Sequence, residues 1–244
     1  KYPNLKSLSV ASEDEILALW TGLGFYRRAK NIFKTKEIIK HNYKNIFPKK
    51  YEELMALPGI GKSTAGAIMS LAYQEPYPIL DANVKRVISR FENIERDEKK
   101  LWKLSEKLTP NNNIFAYTQG IMDLGATTCS VREPECQSCP IVKICNSAFH
   151  TSVQNPKKNK EKSVKKINFT LAHSKKSFLL FKKEEKTFWE SLWVPFDNKD
   201  SKKDIIFKKP NKTEIKNINH ALSHLNLDIT IEICEYSAPF KVKT

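Results

Sequence analysis

The sequence predicts a mainly α-helical domain followed by a smaller α+β domain. Between residues 12 and 146, apolar residues recur at helical spacing and are interrupted by glycine and proline. A lysine-rich stretch with few apolar residues follows, which is typical of a solvated linker. Beyond it, residues 167–181 and 227–234 have strand-like composition, and the second segment alternates apolar with polar residues as a half-buried strand does.

The helical prediction begins at Ser12, which stands three residues before Glu15 in a capping-box pattern. An apolar face that includes Ile16, Leu17 and Trp20 follows on the same segment. Further clusters at helical spacing predict the later helices: Ile32 and Phe33; Leu54 and Leu57; Ile68 and Leu71; Val84, Val87 and Ile88; Leu101, Leu104 and Leu108; Ile121 and Leu124.

The composition points to a polyanionic partner. The 244 residues are 40% hydrophobic, which is enough for one large or two modest domains. The net charge of +15 favours nucleic acid, although a generally lysine-rich proteome would also produce it. No run of about 18 apolar residues and no secretion signal is present, so we expect a cytoplasmic protein without a membrane partner. The chain starts at Lys1 without an initiator methionine, and we expect a fragment.

Four of the five cysteines fall within seventeen residues in the pattern C-x6-C-x2-C-x5-C: Cys129, Cys136, Cys139 and Cys145. In a cytoplasmic chain such a group usually holds a metal or cluster rather than disulfides. Zinc modules usually pair two short C-x2–4-C units, and only Cys136 with Cys139 makes one here. Pro140, after the third cysteine, fits a cluster-holding loop. The spacing therefore favours iron–sulfur and leaves zinc open.

Residues 57–63 lie between two helical patterns and predict a hairpin that contacts phosphate. Gly59 and Gly61 flank an apolar residue and allow a tight turn whose backbone N–H groups can approach a phosphate. Lys62 follows as a candidate phosphate contact. Such a turn would bind any duplex backbone without selecting a base sequence. An ordinary helix–helix turn is the alternative.

Asp81 follows two apolar residues and precedes a helical pattern about twenty residues after the hairpin. It could serve only as a helix N-cap. A carboxylate that emerges from apolar surroundings beside a DNA-binding hairpin can also stabilise positive charge. Cleavage of a sugar–base bond passes through an oxocarbenium-like state, which an ionised aspartate would stabilise.

The hairpin, Asp81 and the four cysteines, taken in this order, resemble the helix-hairpin-helix DNA glycosylases with a 4Fe–4S cluster. The resemblance implies that Asp81 is the catalytic aspartate and Asn83 a supporting polar group. It also implies that one 4Fe–4S cluster is held by the four cysteines of the group, which favours iron–sulfur over zinc.

Within these glycosylases the chain resembles the MutY-like adenine-DNA glycosylases. Residues 19–26 are similar to the stretch that wedges into DNA, with Phe25 at the intercalating position beside Tyr26. Most relatives carry tyrosine there, and a buried aromatic pair is the alternative interpretation. Endonuclease III relatives have a nucleophilic lysine where this chain has Ser63, so Ser63 implies base removal by water without strand cleavage.

The C-terminal part resembles more faintly the Nudix-like domain of this family. Ser223 and His224 match the loop that recognises 8-oxoguanine, whereas Leu222 replaces a phenylalanine; a surface pair without a role is the alternative. The implied organisation is a helix-hairpin-helix glycosylase domain at 1–146 with its cluster loop at 129–145. A basic linker at 147–168 and an incomplete Nudix-like, α+β lesion-recognition domain at 169–244 would follow.

The predicted activity is monofunctional adenine removal from double-stranded DNA that contains 8-oxoguanine·adenine or G·A mispairs. We expect a monomer in the bacterial nucleoid. The family's general-acid glutamate lies on a helix that would precede this chain, so the chain alone could be inactive. Glu13 and Glu15 align with non-catalytic positions. A bifunctional endonuclease III-like lyase and a non-catalytic lesion-binding protein are the alternatives.

Overall fold

A computed structural model describes residues 1–95, 97–150, 162–175, 177–183, 189–197, 209–222 and 225–237. The chain divides into two compact units, Lys1–Pro156 and Lys157–Thr244. The first unit is helical and the second contains a sheet, which confirms the predicted order of the two parts. In the described part of the chain, no helix combines the length and apolar character that crossing a bilayer would need.

The helical unit contains eight α-helices among its described residues and two short 3-10 helices. The α-helices are α1 Leu5–Leu8, α2 Glu13–Leu19, α3 Arg27–Asn42, α4 Tyr51–Met55, α5 Lys62–Ala72, α6 Ala82–Phe91, α7 Glu98–Leu108 and α8 Ile114–Ala126, and the 3-10 helices are Cys136–Ser138 and Val142–Ile144. The predicted capping box is confirmed, because Ser12 Oγ accepts from the Glu15 N–H at 3.2 Å and Glu15 Oε2 accepts from the Ser12 N–H at 3.0 Å.

Two apolar clusters form the core of this unit. The first contains Ile39, Leu54, Leu57, Ala65 and Met69, and the second contains Ile79, Leu80, Val84, Ile88 and Leu101. Helix α5 contributes to both, since Ala65 and Met69 belong to the first and Ala67 packs on the second. The segment between α5 and α6 enters the second cluster through Ile79 and Leu80, so the residues just before Asp81 are anchored in the core.

Two glycines allow backbones to pass unusually close to each other around that segment. A Cβ at Gly66, in the middle of α5, would lie 2.2 Å from the Pro78 carbonyl oxygen. A Cβ at Gly125, near the end of α8, would lie 2.7 Å from Asn83 Cβ on α6. Helices α5 and α8 can therefore approach the start of α6 only because these positions carry no side chain.

The second unit is built on a mixed sheet. Its strands are β1 Ser163–Ser174, β2 Ser177–Phe178, β3 Phe181–Lys182, β4 Trp193–Val194, β5 Phe196–Asp197, β6 Lys212–Ala221 and β7 Leu225–Glu235. The strand order is β2-β1-β7-β6, with β5 also pairing with β1, and β3 pairs separately with β4. Strands β1 and β7 are parallel, with Ile167 opposite Ile229, whereas β6 and β7 are antiparallel. Ile167 and Phe169 pack with Leu225, Leu227 and Val194 in its core.

The strand predictions are confirmed in position and corrected in extent. Residues 227–234 lie within β7, but residues 167–181 are divided among β1, β2 and β3. Strand β1 begins at Ser163, inside the stretch that the sequence analysis assigned to the linker, because its first residues pair with β7 despite their polar character. The described residues of this unit contain strands and no helix, so the helical component of the predicted α+β domain is not found in that part of the chain.

We predict that Gly66→Ala lowers the free energy of unfolding of the helical unit by about 1–3 kcal/mol, because the new methyl group must displace the backbone at Pro78. Gly120→Ala on α8 is the matched control. A Cβ there meets nothing within 4 Å, so it should stabilise the helix by roughly 0.5–1 kcal/mol. Denaturant unfolding followed by circular dichroism measures both. Equal effects would contradict the close approach of α5 to residue 78.

Candidate active site and metal centre

The hairpin between α4 and α5 is packed against α3. Gly59 has a φ of +81°, and a Cβ there would also lie 2.5 Å from Asn31 Nδ2 on α3. The Thr35 hydroxyl, one helical turn further along α3, donates to the Pro58 carbonyl at 3.1 Å. Gly61 is the N-cap of α5 in an extended conformation. The first N–H groups of α5 are thus presented at the turn without intrahelical partners, as a phosphate-binding helix start requires.

Lys62, the predicted phosphate contact, lies against α7. Its Nζ stands 3.9 Å from the Trp102 ring centroid and 3.3 Å from Glu106 Oε1. The side chains of the ion pair are about half exposed, at 46% and 53%. Exposed ion pairs contribute only about 0–1 kcal/mol, so a phosphate could replace Glu106 at little cost.

Two serine hydroxyls hold the segment that leads to Asp81. The Ser63 hydroxyl accepts from the Leu80 N–H at 2.9 Å, and the buried Ser105 hydroxyl on α7 donates to the Ile79 carbonyl at 2.7 Å. Asp81 then caps α6, with Oδ1 accepting from the Val84 N–H at 2.8 Å. No described residue hydrogen-bonds its other oxygen, Oδ2. The half-buried carboxylate is therefore a helix cap with one oxygen left for another contact, so the two interpretations of Asp81 are compatible.

Asn83 is connected to the first cysteine through Arg86. The Arg86 side chain is only 5% exposed. Its Nη2 donates to Asn83 Oδ1 at 2.9 Å and to the Gly125 carbonyl, and its Nε donates to the Cys129 carbonyl at 2.8 Å. A buried guanidinium needs such acceptors, because an unpaired buried charge is very costly. One side chain thus orients Asn83 and anchors the beginning of the cysteine loop.

The four predicted metal ligands line one cavity: Cys129, Cys136, Cys139 and Cys145. All four are free thiols. Arg90, one turn after Arg86 on α6, donates to Cys129 Sγ at 3.3 Å and to the Ser130 and Val131 carbonyls at 2.6 and 3.0 Å. The Phe149 N–H lies 3.5 Å from Cys136 Sγ. These donors would stabilise thiolates, which are the form that binds metal.

The cavity offers four thiols, which is the donor set of a thiolate-bound metal centre. Burial, together with the neighbouring cysteines, raises the pKa of the Cys145 thiol, so four thiolates at this spacing need a cation among them. In the described ranges of the chain, no group of three or more His, Cys, Asp or Glu side chains is arranged to hold a single metal ion.

The predicted wedge loop ends in an exposed aromatic ring. The Trp20 indole N–H donates to the Gly24 carbonyl at 2.9 Å and closes the turn. Phe25 is 74% exposed, so the alternative of a buried aromatic pair is wrong for this residue. Tyr26 is half-buried at the N-cap of α3.

Two further predictions concern polar side chains. Ser223 and His224 lie outside the described residues, between β6 and β7, where Ala221 is opposite Asn226. Glu15 is engaged in the α2 cap and with Lys1, and these hydrogen bonds lower its pKa to about 2. A carboxyl group with so low a pKa is ionised near neutral pH and is a poor proton donor there.

The sequence analysis missed Arg86, Arg90 and Ser105 as residues that position the site. The two arginines are four residues apart on the face of α6 that also carries the apolar Val87, and this combination is the signal that could have indicated a buried ionic role.

Residues 1–111 match the family model described as HhH-GPD superfamily base excision DNA repair protein. The chain is 39% identical over 246 residues to an adenine DNA glycosylase of Buchnera aphidicola subsp. Schizaphis graminum, covering 94% of this chain and 71% of the relative.

Two solved structures are also similar to this chain. A thermostable thymine-DNA glycosylase has a TM-score of 0.55 and 30% identity, and a trapped endonuclease III–DNA covalent intermediate has a TM-score of 0.54 and 26% identity. Each match covers 61% of this chain and 71% of the other. On the identity and coverage of the Buchnera relative, the chain belongs to the adenine DNA glycosylases, within the HhH-GPD superfamily of base excision DNA repair proteins.

Proposed function

We propose that this protein removes adenine from mispaired DNA by hydrolysing its N-glycosidic bond, as a monomer acting in base excision repair. The observation that carries the proposal is the placement of Asp81. Hydroxyls from α5 and α7 hold the backbone just before Asp81, and its carboxylate accepts from the Val84 N–H through one oxygen while the other has no described partner. An anion preorganised in this way stabilises the positive sugar that forms as the base departs.

The hairpin and the wedge loop would act before the chemistry. The N–H groups at the start of α5, with Lys62 after release from Glu106, would bind the duplex backbone without base preference. Phe25 would enter the base stack, and adenine would flip into the site beside Asp81. Asn83, held by Arg86, would be a polar contact for the flipped nucleotide.

We assign 8-oxoguanine recognition to Ser223 and His224, with G·A as the second mispair. Support comes from the resemblance of residues 220–228 to the recognition loop.

Base removal by water alone is supported by the residue at position 63. Ser63 supplies a hydroxyl, engaged with the Leu80 N–H, and no amine. A bifunctional lyase needs an amine free to attack the sugar.

We further propose that Cys129, Cys136, Cys139 and Cys145 hold one 4Fe–4S cluster. When bound, the cluster would order the cysteine loop for contact with the DNA backbone and would take no redox part in base removal. Arg90 would hold the first ligand through its contact with Cys129 Sγ.

Asp81→Asn should reduce single-turnover adenine release from an 8-oxoguanine·adenine duplex by about 10²–10³-fold, the loss typical of one preorganised electrostatic group. Asparagine is also a good N-cap, so folding and the DNA dissociation constant should change little. The assay uses protein expressed from its complete gene. Wild-type protein that binds the mispair tightly but releases no adenine would indicate a lesion-binding protein instead, and unchanged release by the variant would remove Asp81 from the mechanism.

Ser63→Lys should introduce strand cleavage, because an amine would then project beside Asp81 and could form a Schiff base with the sugar. Borohydride trapping followed by gel electrophoresis detects the covalent adduct. Ser63→Ala is the control, since it also loses the hydrogen bond to Leu80 but supplies no nucleophile. A trapped adduct with wild-type protein would favour the endonuclease III-like alternative.

Cys139→Ser should lower the iron and acid-labile sulfide content of the purified protein and weaken DNA binding. Cys234→Ala is the control, since Cys234 belongs to β7 in the other unit and should not affect iron content. Elemental analysis distinguishes the alternatives. Stoichiometric zinc in wild-type protein purified without air would refute the cluster assignment.

A further inference from the structure

The exposed Phe25 ring is mounted on a backbone turn that ordinary residues rarely adopt. Its φ is +48°, and it follows Gly22 and Gly24 with φ values of +84° and +64°. A non-glycine residue in the left-handed region is uncommon and carries a conformational cost. Such a conformation persists where neighbouring contacts hold it. Hydrogen bonds from the Trp20 indole and the Arg28 N–H to backbone carbonyls hold the turn here, and the Arg28 side chain contacts the ring.

Arg28 connects the exposed ring to a fixed one. Its guanidinium carbon lies 5.6 Å from the centroid of Phe25 and 5.2 Å from the centroid of Trp20. Trp20 is held in place by its indole hydrogen bond to the Gly24 carbonyl. The Arg28 N–H also donates to the Phe25 carbonyl at 2.9 Å, as part of the first turn of α3. The guanidinium therefore spans the loop from its anchored ring to its exposed ring.

We propose that Arg28 is a positioning residue that holds Phe25 in its exposed, insertion-ready orientation before DNA binds. The proposal rests on the proposed role of Phe25 as the wedge. An unrestrained phenylalanine on the surface would turn among its rotamers and would have to be ordered during insertion. A planar guanidinium against the ring restricts that motion beforehand. The effect belongs to the step of base extrusion and not to bond cleavage.

The test follows extrusion by stopped-flow fluorescence of 2-aminopurine placed at the adenine position opposite 8-oxoguanine. We expect Arg28→Met to slow extrusion by about three- to fivefold, in keeping with a cation–π contact at an exposed site. Arg27→Met is the matched control. It removes the same charge one residue earlier on α3, and no ring contact of Arg27 is found in the described part of the chain. Both variants should weaken duplex binding to a similar extent.

A double-mutant cycle with Phe25→Ala separates the possible outcomes. Arg28→Met should cause no further slowing in the Phe25→Ala background, because the ring that it positions is absent. The inference is overturned if Arg28→Met matches Arg27→Met, or if it slows both backgrounds equally, which would indicate a phosphate contact. If Phe25→Ala alone leaves extrusion unchanged, the wedge assignment itself fails. Circular dichroism melting curves check that each variant is folded.

Discussion

The arrangement of the helical unit depends on the hydrogen bonds that the buried guanidinium of Arg86 donates. It satisfies the carbonyls of Gly125 and Cys129 as well as the Asn83 side chain, and so joins α6, α8 and the cysteine loop. Leaving a buried carbonyl unsatisfied costs about 1–3 kcal/mol. Sequence neighbours cannot replace these bonds, since the acceptors on α8 and the loop are 39 and 43 residues away. The candidate active site and the candidate metal centre therefore share one structural member, helix α6.

The opposite side of the site depends on short polar side chains. Ser63 and Ser105 each bond one backbone group of the segment before Asp81, and Gly66 lets α5 approach that segment closely. The segment has no regular secondary structure, so its backbone groups need such partners when they are buried. The start of α6 at Asp81 is thus fixed by contacts from α5 and α7 to the preceding segment and by the Arg86 contacts within α6. An aspartate that is both a helix cap and a candidate catalytic group gains its orientation from the folding of the helix itself.

Much of this architecture could be predicted because its signals are local in sequence. The capping box of Ser12 and Glu15, the hairpin glycines and the cysteine spacing each lie within a few residues of one another. The pairing of Lys62 with Glu106 and the bond from Ser105 to Ile79 could not be predicted, because they join residues 44 and 26 positions apart. The early start of β1 was missed for the same reason, since its polar first residues are placed by parallel pairing with β7, about sixty residues later. Local patterns define helices and turns, whereas these contacts depend on how the helices and strands assemble.

The packing of the hairpin on α3 has a mechanical consequence. Thr35 bonds the hairpin to α3, Asn31 of the same helix lies close to Gly59, and Phe25 stands just before this helix begins. The hairpin and the proposed wedge are therefore linked by a length of helix of roughly 12 Å from residue 27 to residue 35. We therefore expect the hairpin and the loop of Phe25 to move together. If the hairpin and Phe25 both contact one duplex, the DNA has to deform to fit them, because it is more flexible than the helical unit. Resistance then depends on the stacking strength of each base pair, and a poorly stacked mispair yields first. Such a rigid arrangement would distinguish base pairs by how easily they unstack, before any base is recognised by its chemical groups.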